Sequence, residues 1–350
     1  MSEKRRIGLK DIARELGISI STASRALNAY PGIADETIKL VKEYAEKHNY
    51  VPNTMAVNFR KNKTMTLGIV VPELIHYFFS SVISGAIQTA KKHGYSVFVS
   101  QTDEKVANEI VACRTLLSSG IDGLLISISN ETIEGKHIQE FLEEGKPVVQ
   151  FDKVSDYLET PKVIVDDFQG AFNAVEHLLK KGYKKIAHIG GWADVKNSVE
   201  RKRGYMEALR TNGFEIHGDF LLECTDISEQ EGYEFTKKLM ESHNPPDAIF
   251  CITDLVAIGA IKYLKEKNFQ IPEQVGVMGF SNWQLAGMVS PGLSSVDQHA
   301  YEMGVKSTEI LINILRGKAL CTDQTHIVKT ELIIRESTSV KSHKDQEPIN

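Results

Sequence analysis

Three polar side chains, Ser21, Arg25 and Asn28, recur at i, i+4 and i+7 in the stretch ISTASRALN, which puts them on one face of a helix. That face has the chemistry of a nucleic-acid groove reader. An arginine fork bonds both acceptors on a guanine edge, serine and asparagine bond base edges or phosphates, and the methyls of Ile20 suit a thymine methyl. A second set of residues suits a small polar ligand. Asp152 follows the strand-like run PVVQF, where a carboxylate either accepts a ligand hydroxyl or caps its own loop, and Trp192 follows His188-Ile189-Gly190-Gly191, where an indole stacks on a sugar ring.

Enzymatic chemistry finds little support. No G-x-G-x-x-G follows a strand and no G-x-x-x-x-G-K-[ST] occurs, so a dinucleotide or P-loop site lacks its glycine scaffold. Gly279-Phe280-Ser281-Asn282-Trp283 misses the second glycine of a nucleophile elbow, and the 11 histidines form no H-E-x-x-H or H-x-H. The expectation is a chain that is not an enzyme and needs no cofactor or metal.

The recognition face needs a positioning frame, and the flanking residues provide one. Leu9, Ile12, Ala13 and Leu16 have helical spacing, Gly17-Ile18 interrupts, and Ser19 is a good cap for the next helix, whose Ala23, Ala26 and Leu27 turn inward. Helix, tight turn, helix is the outcome. A third helix is predicted from about Asp35 to His48, after Ala34, a poor cap.

From Thr66 onward, short apolar runs alternate with amphipathic stretches. The order is TLGIVV, Phe79 to His93, YSVFVS, Val106 to Ser119 and GLLISI, then Phe168 to Lys181, KIAHIG, Arg201 to Asn212, FLLEC, Ser228 to His243, AIFCI, Leu255 to Lys267 and VGVMGF. Gly94, Gly120 and Gly145 end successive helical runs at a beat of 26 and then 25 residues. This is the βα pattern of parallel sheets, repeated in two lobes with a ligand cleft outside the strands' carboxyl ends.

Charge divides the chain at the same place. Over the whole sequence the net charge is -5, yet residues 1–63 hold 12 basic residues against 7 acidic ones, a net of +5, and the remainder carries -10. A basic head on an acidic body suits an approach to phosphates by one end only. With 42% hydrophobic and 25% charged residues, sizeable buried cores are expected. The start, MSEKRRIGLK, is charged where a signal peptide is apolar, and no apolar run is long enough to span a membrane. Cys113, Cys224, Cys251 and Cys321 are far apart, which fits unpaired thiols in a reducing compartment. A cytoplasmic location is expected.

LKDIARELGISISTASRALN, a helix from about Asp35, and then NYVPNTMAVNFRKNKTMTLGIVVP together resemble the DNA-binding head and hinge of the lac repressor and galactose repressor family, densely over the first 70 residues and more loosely beyond. The resemblance implies that Ile20, Ser21 and Arg25 read bases and that Thr22, Ser24 and Asn28 mostly contact phosphates. It further implies a hinge, Asn53 to Phe59, too short to be helical alone in water and ordered only on DNA, with Asn53 and Ala56 in the minor groove. Phe59 replaces the leucine wedge of the family's namesake and is still an apolar wedge. Arg60, Lys61 and Lys63 would add attraction to phosphates.

In the body the resemblance implies an architecture like the periplasmic sugar-binding proteins, with the chain crossing between lobes near Val165, Ser295 and His326. Arg201 matches the family's effector-bonding arginine, whose fork suits hydroxyls, carboxylates or phosphates. Phe78 and Phe79 match aromatic wall positions, although Phe79 serves equally well as core. Ser281 stands where many members have an aspartate, and Thr253 where many have asparagine before the aspartate matched by Asp254; all three offer hydrogen bonds. Asn282 and Gln298 are polar candidates for either the ligand or a lobe crossing.

The fold class expected is thus α/β, with an all-α helix-turn-helix head and a two-lobed body of doubly wound parallel sheets. The expected boundaries are a head at about 1–52, hinge and linker at about 53–65, and a body at about 66–340. Lobe 1 takes about 66–165 and 296–325, lobe 2 about 166–295 and 326–340, and a disordered tail of about 341–350 follows. The tail has no leucine heptads, which disfavours a tetramerising coiled coil. The function expected is a transcription regulator, binding palindromic operator DNA as a homodimer, answering to a small carbohydrate-like effector and having no membrane partner; a sugar-binding protein without DNA activity is the alternative.

Overall fold

The computed structural model describes residues 7–48, 50, 63–318 and 324–339. Contacts divide the chain into two units, Met1–Thr64 and Met65–Asn350.

In the first unit α1 (Leu9–Glu15), α2 (Ile20–Leu27) and α3 (Asp35–Lys47) surround Ile12, Ala26, Val41 and Ala45. The turn between α1 and α2 needs a residue of positive φ, and Gly17 supplies it at +64°, while the Ile18 amide donates to the Ala13 carbonyl at 3.0 Å. Ser19 then caps α2, its Oγ accepting from the Thr22 amide at 3.0 Å. Ala34 gives α3 no side-chain cap; Asp35 and Glu36 in the first turn face the positive end of the helix dipole instead.

The second unit holds two six-stranded sheets. The first runs β11–β5–β4–β3–β1–β2, built from β1 (Thr66–Val71), β2 (Ser96–Gln101), β3 (Gly123–Ile126), β4 (Val148–Phe151), β5 (Lys162–Val165) and β11 (Thr325–Val328), all parallel. The second runs β12–β10–β9–β8–β6–β7, from β6 (Ile186–Gly190), β7 (Leu221–Glu223), β8 (Ala248–Cys251), β9 (Gly276–Phe280), β10 (Ser294–Asp297) and β12 (Glu331–Ile333). Only the β10–β12 pair of this sheet is antiparallel. The central strands β3, β4, β6, β8 and β9 are buried along their whole length, which explains their continuous apolar runs.

Helices α4 (Tyr77–Lys92), α5 (Val106–Ser118), α6 (Lys136–Glu143) and α11 (Ala300–Leu315) belong to the first lobe, and α7 (Asp167–Lys180), α8 (Lys196–Thr211), α9 (Glu229–Met240) and α10 (Asp254–Glu266) to the second. α4 and α11 pack backbone to backbone. A Cβ on Gly85 would lie 2.2 Å from the Tyr301 carbonyl oxygen, and one on Gly304 2.0 Å from that of Val82.

The chain crosses to the second sheet after Val165, returns after Asp297 at the end of β10, and crosses again between Val328 and Glu331, each within a few residues of the expected place. One expected boundary is corrected. α8 begins at Lys196 rather than Arg201, because its first turn, KNSV, is polar and carries no apolar periodicity. Arg201 therefore sits in the second turn, aimed from inside the helix. Cys113, Cys224 and Cys251 are unpaired and buried; Cys321, the hinge and the tail lie outside the described residues. Among the described residues no helix is long and apolar enough to cross a membrane, and no group of three or more His, Cys, Asp or Glu is arranged to hold a metal.

Candidate functional site

On the head, α2 presents the six residues singled out from sequence. Ile20, Ser21, Arg25 and Asn28 are exposed, Thr22 and Ser24 half-buried, while Ala23 and Ala26 turn fully inward. The polar atoms at the helix start are already organised: Ser19 Oγ bonds Ser21 Oγ at 2.7 Å and Thr22 Oγ1 at 2.8 Å. Asn28 Nδ2 donates to the Ser24 carbonyl at 2.8 Å, closing the other end of the helix. Arg25, in the last turn, takes part in no ion pair among the described residues. Asn53, Ala56 and Phe59, expected to enter the minor groove, lie outside the described residues.

In the body, the carboxyl ends of the strands of both sheets border one cavity of about 280 Å³, near the small end of the roughly 300–1,000 Å³ of ligand pockets. Nine residues proposed from sequence border it: Phe78, Phe79, Asp152, Trp192, Arg201, Thr253, Asp254, Ser281 and Gln298. They come from opposite lobes. Phe78 and Phe79 open α4, Asp152 follows β4, Trp192 follows β6, Thr253 and Asp254 follow β8, Ser281 follows β9, and Gln298 follows β10.

Their partners separate bordering residues from presenting ones. Arg201, 4% exposed, donates from Nε to Asp167 Oδ1 at 2.8 Å and from Nη1 to the Ile252 carbonyl at 2.7 Å, and its guanidinium lies 3.8 Å over the Phe280 ring. Two hydrogen bonds and a stacked ring hold the fork rigid, which is the preorganisation a ligand-bonding arginine needs. Asp152 is half-buried, with positive φ (57°), and among the described residues its carboxylate has only a long contact, 3.5 Å from Ser127 Oγ. Burial raises its pKa to about 6, with Lys153 opposing.

The lobe 2 candidates are more committed. Asp254 accepts from Ser295 Oγ and from the Trp283 amide, each at 2.5 Å, and burial raises its pKa to about 7. It ties the loop after β9 to strand β10. Thr253 Oγ1 caps α10, accepting from the Val256 amide at 3.4 Å. Ser281 Oγ donates to Gln298 Oε1 at 2.7 Å. Phe79, 7% exposed, packs in the first lobe's core as well as bordering the cavity, and meets Phe78 edge-on at 5.2 Å. Trp192 Nε1 donates to the Thr225 carbonyl at 2.5 Å. Asn282 is a correction: it does not border the cavity. Its Nδ2 donates to Asp297 Oδ2 at 2.9 Å and its Oδ1 accepts from Arg335 Nη2 at 2.7 Å, so it joins the end of β10, where the chain leaves the lobe, to the stretch after β12.

Sequence reasoning missed a charged group on the lobe 1 wall. Lys153, 7% exposed, donates to Asn130 Oδ1 at 2.9 Å and pairs with Glu104, which also accepts from the Asn130 amide at 2.9 Å. Asp103 and Glu104 have φ of 53° and 57°, a left-handed pair that turns the chain sharply after β2. The available signal was a charged run, Asp103-Glu104-Lys105, one residue beyond a strand. A latch spans the lobes as well: Lys196 Nζ at the start of α8 lies 2.8 Å from Asp156 Oδ2, beyond β4 in lobe 1.

Comparison with known proteins agrees with both parts. Residues 64–336 match the model of periplasmic binding proteins and the sugar-binding domain of the LacI family, and residues 8–53 that of bacterial regulatory proteins of the lacI family. Catabolite control protein A of Priestia megaterium is 30% identical over 90% of this chain and 94% of its own. The HTH-type transcriptional repressor CytR of Escherichia coli K12 is 29% identical over 94% and 96%. The lac repressor dimer bound to operator and the anti-inducer ONPF superposes with a TM-score of 0.87 at 22% identity, over 96% of this chain and 100% of that one. The chain belongs to the lacI family of bacterial regulatory proteins, as a DNA-binding transcription regulator with an effector-binding body.

Proposed function

We propose that the protein represses transcription as a homodimer on a near-palindromic operator, under the control of a small carbohydrate-like effector held between the two lobes of its body. The observation that carries the effector reading is the convergence of a braced arginine, a sparsely bonded carboxylate and aromatic side chains on one cavity at the strand ends. An arginine fork and a carboxylate bond the hydroxyls of a polyol, and aromatic faces cover its C–H side. Two heads on two half-sites suit the two-fold symmetry of a dimer.

An effector touching both lobes favours the arrangement in which both contacts are made, and only that difference in affinity drives a change in DNA binding. Selection of sites from a random duplex pool by the full-length chain supplies the operator. A panel of pentoses, hexoses, disaccharides and nucleosides is then scored for release or tightening of that operator, which reads induction or co-repression directly. Recovery of one palindrome and a response to one panel member is expected. Failure to enrich any site would leave a sugar-binding protein without DNA activity as the better reading.

A further inference from the structure

The two units meet between Thr64 and Met65, and the first residue of the body is held in an unusual way. Met65 has φ of +54°, a left-handed conformation that a residue with a side chain adopts only where its surroundings impose it. Here both of its backbone polar groups are taken up from neighbouring strands. Its amide donates to Asp122 Oδ2 at 2.9 Å, and its carbonyl accepts at 2.9 Å from the amide of Ser96, the first residue of β2. Asp122, 4% exposed and directly before β3, completes the clasp by donating its own amide to the Thr66 carbonyl at 2.8 Å. The Met65 side chain packs against the lobe 1 core. A carboxylate 57 residues away in sequence thus holds the point at which the chain enters the body.

The sheet itself does not need this clasp, because β1 is already paired with β2 from Thr66 to Val71 and with β3 from Leu67 to Val70. What the clasp adds is a fixed place for the residue before the sheet begins, and that residue continues into the chain leading to the head. The same three strands reach the effector cleft. Beyond their carboxyl ends stand Glu73, Asp103 and Asn130, all bordering the cavity, so clasp and cavity lie at opposite ends of β1, β2 and β3. We propose that Asp122 is a positioning residue for operator binding: it fixes where each connecting chain of a dimer leaves lobe 1, and so sets the half-site spacing that the two heads accept. This role rests on the dimeric, palindromic reading above, since only two heads on two half-sites have a spacing to set. It also gives any movement of lobe 1 on effector binding a fixed point through which to reach the heads.

The full-length chain and the palindrome it selects test this, beside duplexes with one base pair inserted or removed at the centre. Each change shifts the half-sites by about 3.4 Å and turns them by roughly a tenth of a helical turn. The unaltered protein is expected to prefer the selected spacing. In Asp122→Ala that preference should fall about tenfold, the scale of one hydrogen bond to a charged group, while affinity for a random-sequence duplex stays the same. Asp122→Asn, whose Oδ1 still accepts from the Met65 amide, should keep the preference. A purely stabilising role would lower the thermal midpoint of Asp122→Ala and leave its spacing preference intact, which would overturn the proposal while the dimeric reading stands. A preference lost equally in Asp122→Asn would trace the effect to charge rather than to the clasp, and would overturn it too. If no palindrome is selected, the dimeric reading fails and this role with it. Should Asp122→Ala not fold, amide exchange in the unaltered protein decides: Met65 is expected to be protected, and exchange at the rate of an open chain would overturn the proposal.

Discussion

In the head, the six residues proposed to contact DNA come from the nine consecutive positions Ile20 to Asn28 of one helix and its C-cap. In the body, the residues around the cleft come from strand ends and helix starts between Phe78 and Gln298. The head's face is exposed, with Arg25 in no ion pair among the described residues, whereas the cleft's groups are largely bonded to one another before any ligand arrives. The difference follows from the targets. DNA brings a dense array of charges and edges, so an exposed face of one helix suffices. A small effector offers few contacts, so its site must be held in place by partners that also exclude water.

The comparison is tested most severely at Arg201. Replacement by alanine leaves Asp167, already raised in pKa by burial, as a lone buried carboxyl, and breaking a buried pair in this way costs about 3 to 5 kcal/mol. Urea unfolding should show that loss together with loss of the effector response. Unchanged stability and response would mean that the cleft is not built around this residue. Arg25→Ala should do the reverse, costing about 1 to 3 kcal/mol in binding to the selected operator and leaving unfolding nearly untouched. A drop in stability of similar size would erase the distinction between an exposed reader and a braced one.

Asp152 gives a finer test. With its pKa raised to about 6, the carboxylate is ionised above that pH and protonated below it, so affinity for an effector that donates hydroxyls should fall as the pH drops from 7.5 to 5.5. Asp152→Asn should flatten the profile; a slope surviving in the variant would move the titration to another group. The smallest effect is expected from Lys196→Ala. Its pair with Asp156 is solvent-exposed, worth less than about 1 kcal/mol, so unfolding should barely change while effector affinity shifts a few-fold as lobe closure loses one contact. A shift beyond tenfold would make the latch a principal determinant of closure.

Much of this was legible in the sequence. The helix-turn-helix could be read because each of its signals, Gly17 in the turn, Ser19 as cap and the inward alanines, acts within a few residues of the chain. The alternation of buried strands and amphipathic helices was legible for the same reason. Helix α11 was not assigned, and the start of α8 was placed late, since tertiary contacts rather than apolar periodicity in its first turn hold that end.

What the sequence by itself determined is therefore the local part: the elements, the exposed polar face of α2, the basic head on an acidic body, and which residues stand at strand ends. Tertiary structure alone decided how those residues are employed. It assigned Asn282 to joining the end of β10 to the stretch after β12, Asp254 to tying the loop after β9 to β10 and Lys153 to the wall of the cleft, and it left His188 Nε2 buried without a hydrogen-bond partner among the described residues. The physical reason is range. A cap or a turn is satisfied within one segment, but the partner of a buried polar group is a matter of which distant strand ends the sheet order brings together.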